Sequence, residues 1–299
     1  MNKAGPASEG AIQPIGFLVA LAPDWRISRV SANIDEHLGK SPADLLGQSI
    51  ASLFADEAVH SLRNRLALLR SPESVERLLS VPLTGGERRY DIALHMSGSS
   101  VVIEAEPSSD HHHEHDSMGT IRGMVAQLAA IDGLPAFFAA AARQVRALTG
   151  FDRVLIRRLG DDDPVGEAVR SVARAMTSGP MPIWSTAGRS VLTMIADTSA
   201  APVAIIAPAN ARRSRLDLSH SMLLALPPEQ QSSLGEAAIG AAIQVPLTVA
   251  GRHWGEIIGT HHAPCCPSFE RRHAIEWFAL MLGMQIEIRE LKARLGPVA

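Results

Sequence analysis

Gly10-Ala11-Ile12-Gln13-Pro14-Ile15-Gly16-Phe17-Leu18-Val19-Ala20-Leu21-Ala22-Pro23-Asp24-Trp25-Arg26-Ile27-Ser28-Arg29-Val30 is the stretch that decides the first fold. Residues 17–21 form an apolar run of strand length, 22–25 carry Pro-Asp turn chemistry, and apolar residues resume at Ile27 and Val30. The expectation is a strand, a turn and a strand. Further along, Ser41 before Pro42 reads as an N-cap with proline in the first helical turn, and Asp56 opens an amphipathic helix through Leu62, Leu66 and Leu69. Three more strands are expected at 81–83, 89–96 and 101–106, with Gly85-Gly86 and Gly98 at their turns. A sheet of about five strands with helices on one side follows.

The tract Pro107-Ser108-Ser109-Asp110-His111-His112-His113-Glu114-His115-Asp116-Ser117 holds four of the chain's 12 histidines and no apolar residue beyond its proline. Such a segment cannot join a core. It predicts a polar, His-rich linker over 108–117 that separates a domain at 1–107 from a second at 118–270. The second begins with two helices, since the apolar 3–4 spacing of Val125, Leu128, Ile131 and then Phe138, Ala142, Val145, Leu148 is broken at Gly133-Leu134-Pro135. Strands are expected at 151–159, 194–197 and 203–206, and a hairpin joins 244–249 to 254–260 through Ala250-Gly251. From 269 to 295 the spacing of Ile275, Phe278, Leu282, Ile286, Leu291 and Leu295 predicts a long amphipathic helix closed by Gly296-Pro297. Its length makes 271–299 a candidate pairing helix, and a homodimer is expected. The fold class is α+β, each domain a central antiparallel sheet with flanking helices.

Composition sets the boundaries of function. The 299 residues suit two domains. With 28 Lys and Arg against 31 Asp and Glu, a net charge of −3 supplies no global positive field, so no nucleic-acid partner is expected. Arg212-Arg213-Ser214-Arg215 reads as a solvated loop. No window reaches the ~18–20 apolar residues of a membrane span, and no signal segment opens the chain. The two cysteines, Cys265 and Cys266, are adjacent and give no disulfide framework, which points to the reducing cytoplasm. Neither a phosphate loop nor a Gly-x-Ser-x-Gly or His-Glu-x-x-His word occurs, so no enzymatic activity is expected.

Several words in order carry a family resemblance. The opening stretch, continued by Val30-Ser31-Ala32-Asn33-Ile34, Leu45-Leu46-Gly47-Gln48, Tyr90-Asp91-Ile92-Ala93-Leu94-His95 and Val102-Ile103-Glu104-Ala105-Glu106-Pro107, resembles the PAS domain of bacterial phytochromes. Thr149-Gly150-Phe151-Asp152-Arg153-Val154, Ile195-Ala196-Asp197, Leu216-Asp217-Leu218-Ser219-His220-Ser221, Trp254-Gly255 and His261-His262 are similar to that family's GAF domain. The resemblance implies a sensory-transduction protein, a red-light photoreceptor with a linear tetrapyrrole, biliverdin or another bilin, in the GAF pocket. It also implies that the segment at Ile12-Gln13-Pro14 passes through a lasso within 201–218, knotting the two domains together. The family's PHY and output domains have no counterpart here, so output is expected from a separate signalling protein.

The pocket departs from the family's pattern. No cysteine occurs in 1–11 or 224–234, which removes both places of covalent attachment. Pro180-Met181-Pro182-Ile183-Trp184-Ser185-Thr186 stands in place of the Asp-Ile-Pro word, Thr193 and Leu224 in place of two propionate-binding arginines, and Arg157 in place of a tyrosine. The cofactor residues that the resemblance leaves are His261, His262, His220, Ile12 and Pro14, with the bilin held non-covalently. A pigment-free regulator that dimerises and binds a partner or another ligand is the alternative. The run His261-His262-Ala263-Pro264-Cys265-Cys266 gathers four soft or borderline ligands that could meet zinc or haem iron. Adjacent side chains diverge, however, and a plain loop with no metal is expected.

Overall fold

The structure, a computed structural model, describes residues 10–71, 74–109, 117–161, 163–170, 191–208 and 216–295. The chain divides into two compact units, 1–112 with 200–226, and 113–199 with 227–299. The first contributes β1 (Ala11–Ile12), β2 (Phe17–Leu21), β3 (Ile27–Ser31), α1 (Ile34–Leu38), α2 (Pro42–Leu45), α3 (Asp56–Leu66), β4 (Glu76–Pro82), β5 (Arg89–Ser97) and β6 (Ser100–Pro107). The second opens with α4 (Ser117–Ala129), α5 (Leu134–Thr149), β7 (Arg153–Arg158), β8 (Gly166–Val169) and β9 (Thr193–Ile195). Next, β10 (Val203–Ile206) returns to the first unit, and α6 (Pro228–Glu236), β11 (Ala241–Val249), β12 (Arg252–His261) and α7 (Phe269–Leu295) complete the second.

The first sheet has the order β1-β10-β3-β2-β6-β5-β4 with every pairing antiparallel. Strand β2 is apolar at every position because both its faces are covered. Phe17, Val19 and Leu21 enter the core with Ile34, Tyr90 and Ile103, whereas Leu18 and Ala20 enter a second cluster with Ile12, Val102, Ile205 and Leu223. The turn to β3 places Trp25 at φ 63°, with its N–H donated to the Ala22 carbonyl at 2.9 Å. Strand β4 starts five residues before the expected 81, and its register shifts between Leu78 and Val81. Asp91 holds that irregularity by accepting the Ser80 N–H at 2.9 Å, so the apolar alternation that marks a strand is broken there.

Two placements differ from the sequence expectation. Strand β10, read as part of the second domain, pairs with β1 and β3 of the first, Ala204 opposite Ala11 and Ile205 opposite Ser31. An apolar run specifies a strand but not its partner. Residues 200–226 as a whole accordingly belong to the first unit, not to the 118–270 block. The segment Ala11–Gln13 lies between two arms of this excursion. On one side it pairs with β10; on the other the Gln13 N–H donates to the Leu223 carbonyl at 2.7 Å and the Ala225 N–H to the Ala11 carbonyl at 3.1 Å. The arms, 203–206 and 223–225, extend past the expected lasso at 201–218. Of the linker at 108–117, residues 110–116 lie outside the described residues, as does the 180–186 word.

The second sheet runs β8-β7-β12-β11-β9, again antiparallel throughout. Helix α7 spans the expected 269–295 and lies on β11, where Gly283 comes so close to the Thr248 carbonyl that a Cβ would overlap it. Arg289 ties α7 to the end of α4, donating to the Leu128 and Ile131 carbonyls at 2.8 and 3.2 Å while stacking over Phe137. Ile275, Phe278, Leu282 and Ile286 are buried as expected, but Leu291 and Leu295 are exposed. They extend a stripe of Trp277, Leu280, Met284 and Ile288, all at least 39% exposed and three or four residues apart.

Candidate functional site

The site grows from the junction of α5 and β7. Gly150, at φ 78°, ends α5 with its N–H on the Arg146 carbonyl at 2.9 Å, and Thr149 Oγ1 accepts the Phe151 N–H. The chain therefore turns directly from helix to strand. Phe151 is buried against β12 at Gly259, where a Cβ would stand 3.3 Å from its ring and 2.7 Å from Ile243 Cγ2. Asp152 follows, pinned by its backbone: its N–H meets the Thr260 carbonyl at 3.1 Å and its carbonyl accepts from Arg170 at 2.7 Å.

This fixes the Asp152 side chain, 1% exposed, beneath the end of β12. Oδ2 accepts the His262 amide at 3.2 Å and the His262 Nδ1–H at 2.5 Å, and His261 Nε2 stands 3.6 Å away. Burial alone would raise the Asp152 carboxyl, but the His262 side-chain and backbone hydrogen bonds, with both imidazoles nearby, outweigh it and hold the group below the usual carboxylate range. Oδ1 has no hydrogen bond; the guanidinium of Arg170, itself well exposed, lies 3.6 Å from it. The two imidazoles stack with centroids 4.7 Å apart and 21° between planes, and His261 packs edge-on against Phe151. His261 Nδ1 is 2.9 Å from the Ala263 carbonyl. The pairing of β11 with β12 shifts register at Trp254, which falls between the pairs Leu247–Gly255 and Thr248–His253.

His261 and His262 are thus brought together, and Asp152, quoted in a family word but given no role, is the residue that joins them. Cys265 and Cys266 do not join that group. Burial, reinforced by the Asp152 charge, pushes the Cys265 thiol up, so it stays protonated at neutral pH. Arg157 is ion-paired with Glu256 across the β7–β12 pair at 3.1 Å.

The other candidates lie in the first unit. Ile12 is fully buried on β1, Pro14 is exposed, and half-buried His220 faces the ring of His95 at 6.2 Å. Beside them is a second buried carboxylate, Glu104 on β6, 2% exposed. It accepts the Met222 and Leu223 amides at 2.7 and 3.0 Å and the Ser221 hydroxyl, which fastens the 216–224 segment to the sheet. No signal in the apolar pattern singles it out.

Comparison with known proteins agrees with this architecture. Residues 7–108 match the family described as PAS fold. The chain is 26% identical over 303 residues to the phytochrome-like protein Cph1 of Synechocystis and 25% identical over 292 residues to the bacteriophytochrome of Pseudomonas aeruginosa, covering 93% of this chain in each case. It spans 39% of the length of each of these relatives. Among solved structures, the chromophore-binding domain of an unusual bacteriophytochrome from R. palustris superposes with a TM-score of 0.75 at 26% identity, covering 95% of this chain and 96% of that one. The photosensory core module of a Stigmatella aurantiaca phytochrome shares the fold, with a TM-score of 0.77 at 22% identity over 97% of this chain and 61% of its own. No helix among the described residues is long and apolar enough to cross a membrane. Over nearly its whole length the chain is similar to phytochromes, and its fold is that of the phytochrome chromophore-binding domain.

Proposed function

We propose that the chain is a sensory module whose second unit binds a linear tetrapyrrole of the biliverdin type without a covalent bond, His261 and His262 supplying its polar contacts, and that two copies pair through α7. The observation that carries this is the His261–His262 pair itself. Asp152 and Phe151 hold both rings rigidly at the end of β12, and the 42% exposed side chain of His262 keeps an imidazole edge open to a ligand. Fixed polar groups beside apolar side chains are what an elongated pigment with pyrrole N–H and carbonyl groups requires. A non-covalent complex follows from the cysteines: the positions of attachment in the family hold none, and the half-buried Cys265 thiol, its pKa raised, is a poor nucleophile. Ile12, Pro14 and His220 belong to the same reading through the family's words. Two free thiols suit a cytoplasmic setting.

Pairing rests on the α7 stripe. Trp277, Leu280, Met284, Ile288, Leu291 and Leu295 form one continuous apolar seam, and two such helices cover each other symmetrically.

An absorption scan of the purified protein after incubation with biliverdin, and separately with haem, tests the pigment reading. A red band with biliverdin that weakens in His261→Ala is expected. No band with either pigment in folded protein overturns it and leaves a pigment-free module that dimerises and binds a partner.

A further inference from the structure

The group Asp152, His261 and His262 has a second chemical property that pigment binding does not use. One ligand atom from each, Asp152 Oδ2, His261 Nε2 and His262 Nδ1, lies within 4.8 Å of the other two. From this geometry we infer that Asp152, His261 and His262 form a binding site for a borderline divalent transition ion of the zinc type. An ion with bonds of about 2.0–2.2 Å to nitrogen and oxygen sets tetrahedral ligand atoms ~3.3 Å apart. His261 Nε2 already stands 3.6 Å from Oδ2, and His262 Nδ1, now 2.5 Å away in a hydrogen bond, needs to withdraw by less than about 1 Å.

The surroundings are those of a ligand set. A metal-bound imidazole ordinarily directs its other nitrogen to a backbone carbonyl. His261 Nδ1 stands 2.9 Å from the Ala263 carbonyl and 3.1 Å from the Ala263 N–H, and binding an ion through Nε2 requires the ring proton on Nδ1, facing that carbonyl. Asp152 is buried, ionised and fixed at its backbone on both sides, so it arrives as a preoriented carboxylate. His262 is the open side, and the ion enters there with solvent completing its coordination. As the ion binds, the proton on His262 Nδ1 is displaced and the ring carries its proton on the outward Nε2. Two neutral imidazoles and a carboxylate are a donor set for zinc and its first-row neighbours rather than for calcium or magnesium. The thiols that the sequence offered as ligands are not in the set: Asp152, 110 residues before His262, takes their place.

The test uses pigment-free protein, so its outcome is separate from that of the bilin experiment. His111, His112, His113 and His115 are first replaced by serine to remove linker binding. Zinc affinity and stoichiometry are then measured by competition with a chromophoric chelator, and the cobalt(II) form is examined by visible absorption. One ion per chain is expected, weakened at least tenfold by Asp152→Asn and by His261→Ala. Arg170→Ala, which removes the cation beside the carboxylate, tightens binding by roughly two- to fivefold, an effect that a merely structural Asp152 would not produce. Cobalt should show ligand-field bands without a thiolate charge-transfer band, a readout that needs no substitution within the site. No ion retained by the linker-substituted protein, affinity unchanged in Asp152→Asn and His261→Ala, or a thiolate band from Cys265 or Cys266 would each overturn the assignment.

Discussion

Glu104 in the first unit and Asp152 in the second are both buried carboxylates, and the two are answered differently. Glu104 spends both oxygens as an acceptor for two backbone amides and a serine hydroxyl, with the fully buried His95 imidazole 3.9 Å away. Asp152 in the second is answered by two imidazoles, one of them exposed, and one of its oxygens has no hydrogen bond. Removing a carboxylate from water has a similar desolvation cost in both places. The first arrangement returns that cost as rigid attachment of a distant segment. The second leaves polar capacity facing outward, where a ligand can use it. The contrast separates a fastening from a site more sharply than burial does.

The largest effect that would break this contrast is on stability. Glu104→Ala leaves the Met222 and Leu223 amides buried without an acceptor and should destabilise the first unit by about 3–5 kcal/mol. Asp152→Asn keeps the shape and an acceptor oxygen and should cost about 1–2 kcal/mol. Urea unfolding followed separately in the two units measures both, and equal losses would erase the distinction. A smaller effect concerns association. Leu280→Glu with Met284→Glu should convert a dimer to a monomer in sedimentation while leaving the unfolding midpoint nearly unchanged, since both side chains are almost half exposed.

The smallest effect is on pH dependence. Burial, more than the opposing charge of Glu36, lowers the pKa of His37 in the first unit, with Arg88 lowering it further. Its folded value lies below its unfolded one, so the unfolded chain binds the proton more readily. The associated stability is whole above about 6.5 and fades as pH falls below that. Asp152 carries the opposite charge with the same sign of shift: its contribution is present above the ordinary carboxylate value of 3.8 and is lost only as pH falls through its still lower folded value. On acidification the first unit should therefore lose stability before the second, and His37→Phe should narrow the gap.

Most of the fold was legible because its elements carry local signals. The Ser41 cap, the Gly133 break, the hairpin at Ala250-Gly251 and the limits of α7 are all read within a few residues. What failed was partnership across the sequence. Strand β10 has the right pattern for a strand and no local mark of the sheet it joins. Glu104 alternates onto the same face of β6 as Val102, a face that reads as solvent until residues 216–224 arrive to cover it. Helix α6 is too polar to show a core-facing stripe, with Leu234 its buried residue. At the site, the adjacent histidines were visible as a pair. Asp152 was not, because a lone aspartate after a helix-ending glycine looks like any turn residue until β12 returns beside it.

The Ala11–Gln13 strand has a consequence for the order in which the molecule is made. Its hydrogen-bond partners at 203–206 and 223–225 lie some 190 to 210 positions downstream, Gln13 and Leu224 being 211 apart. At about 5–20 residues per second, a ribosome needs roughly 10–40 s to supply them. Through that interval the first residues of the chain have no edge to complete, while the hairpins of β2, β3, β5 and β6 can already close. The 11–13 segment is then among the last pieces to settle, and a nascent chain stalled before residue 200 would expose it to proteases that the finished protein excludes.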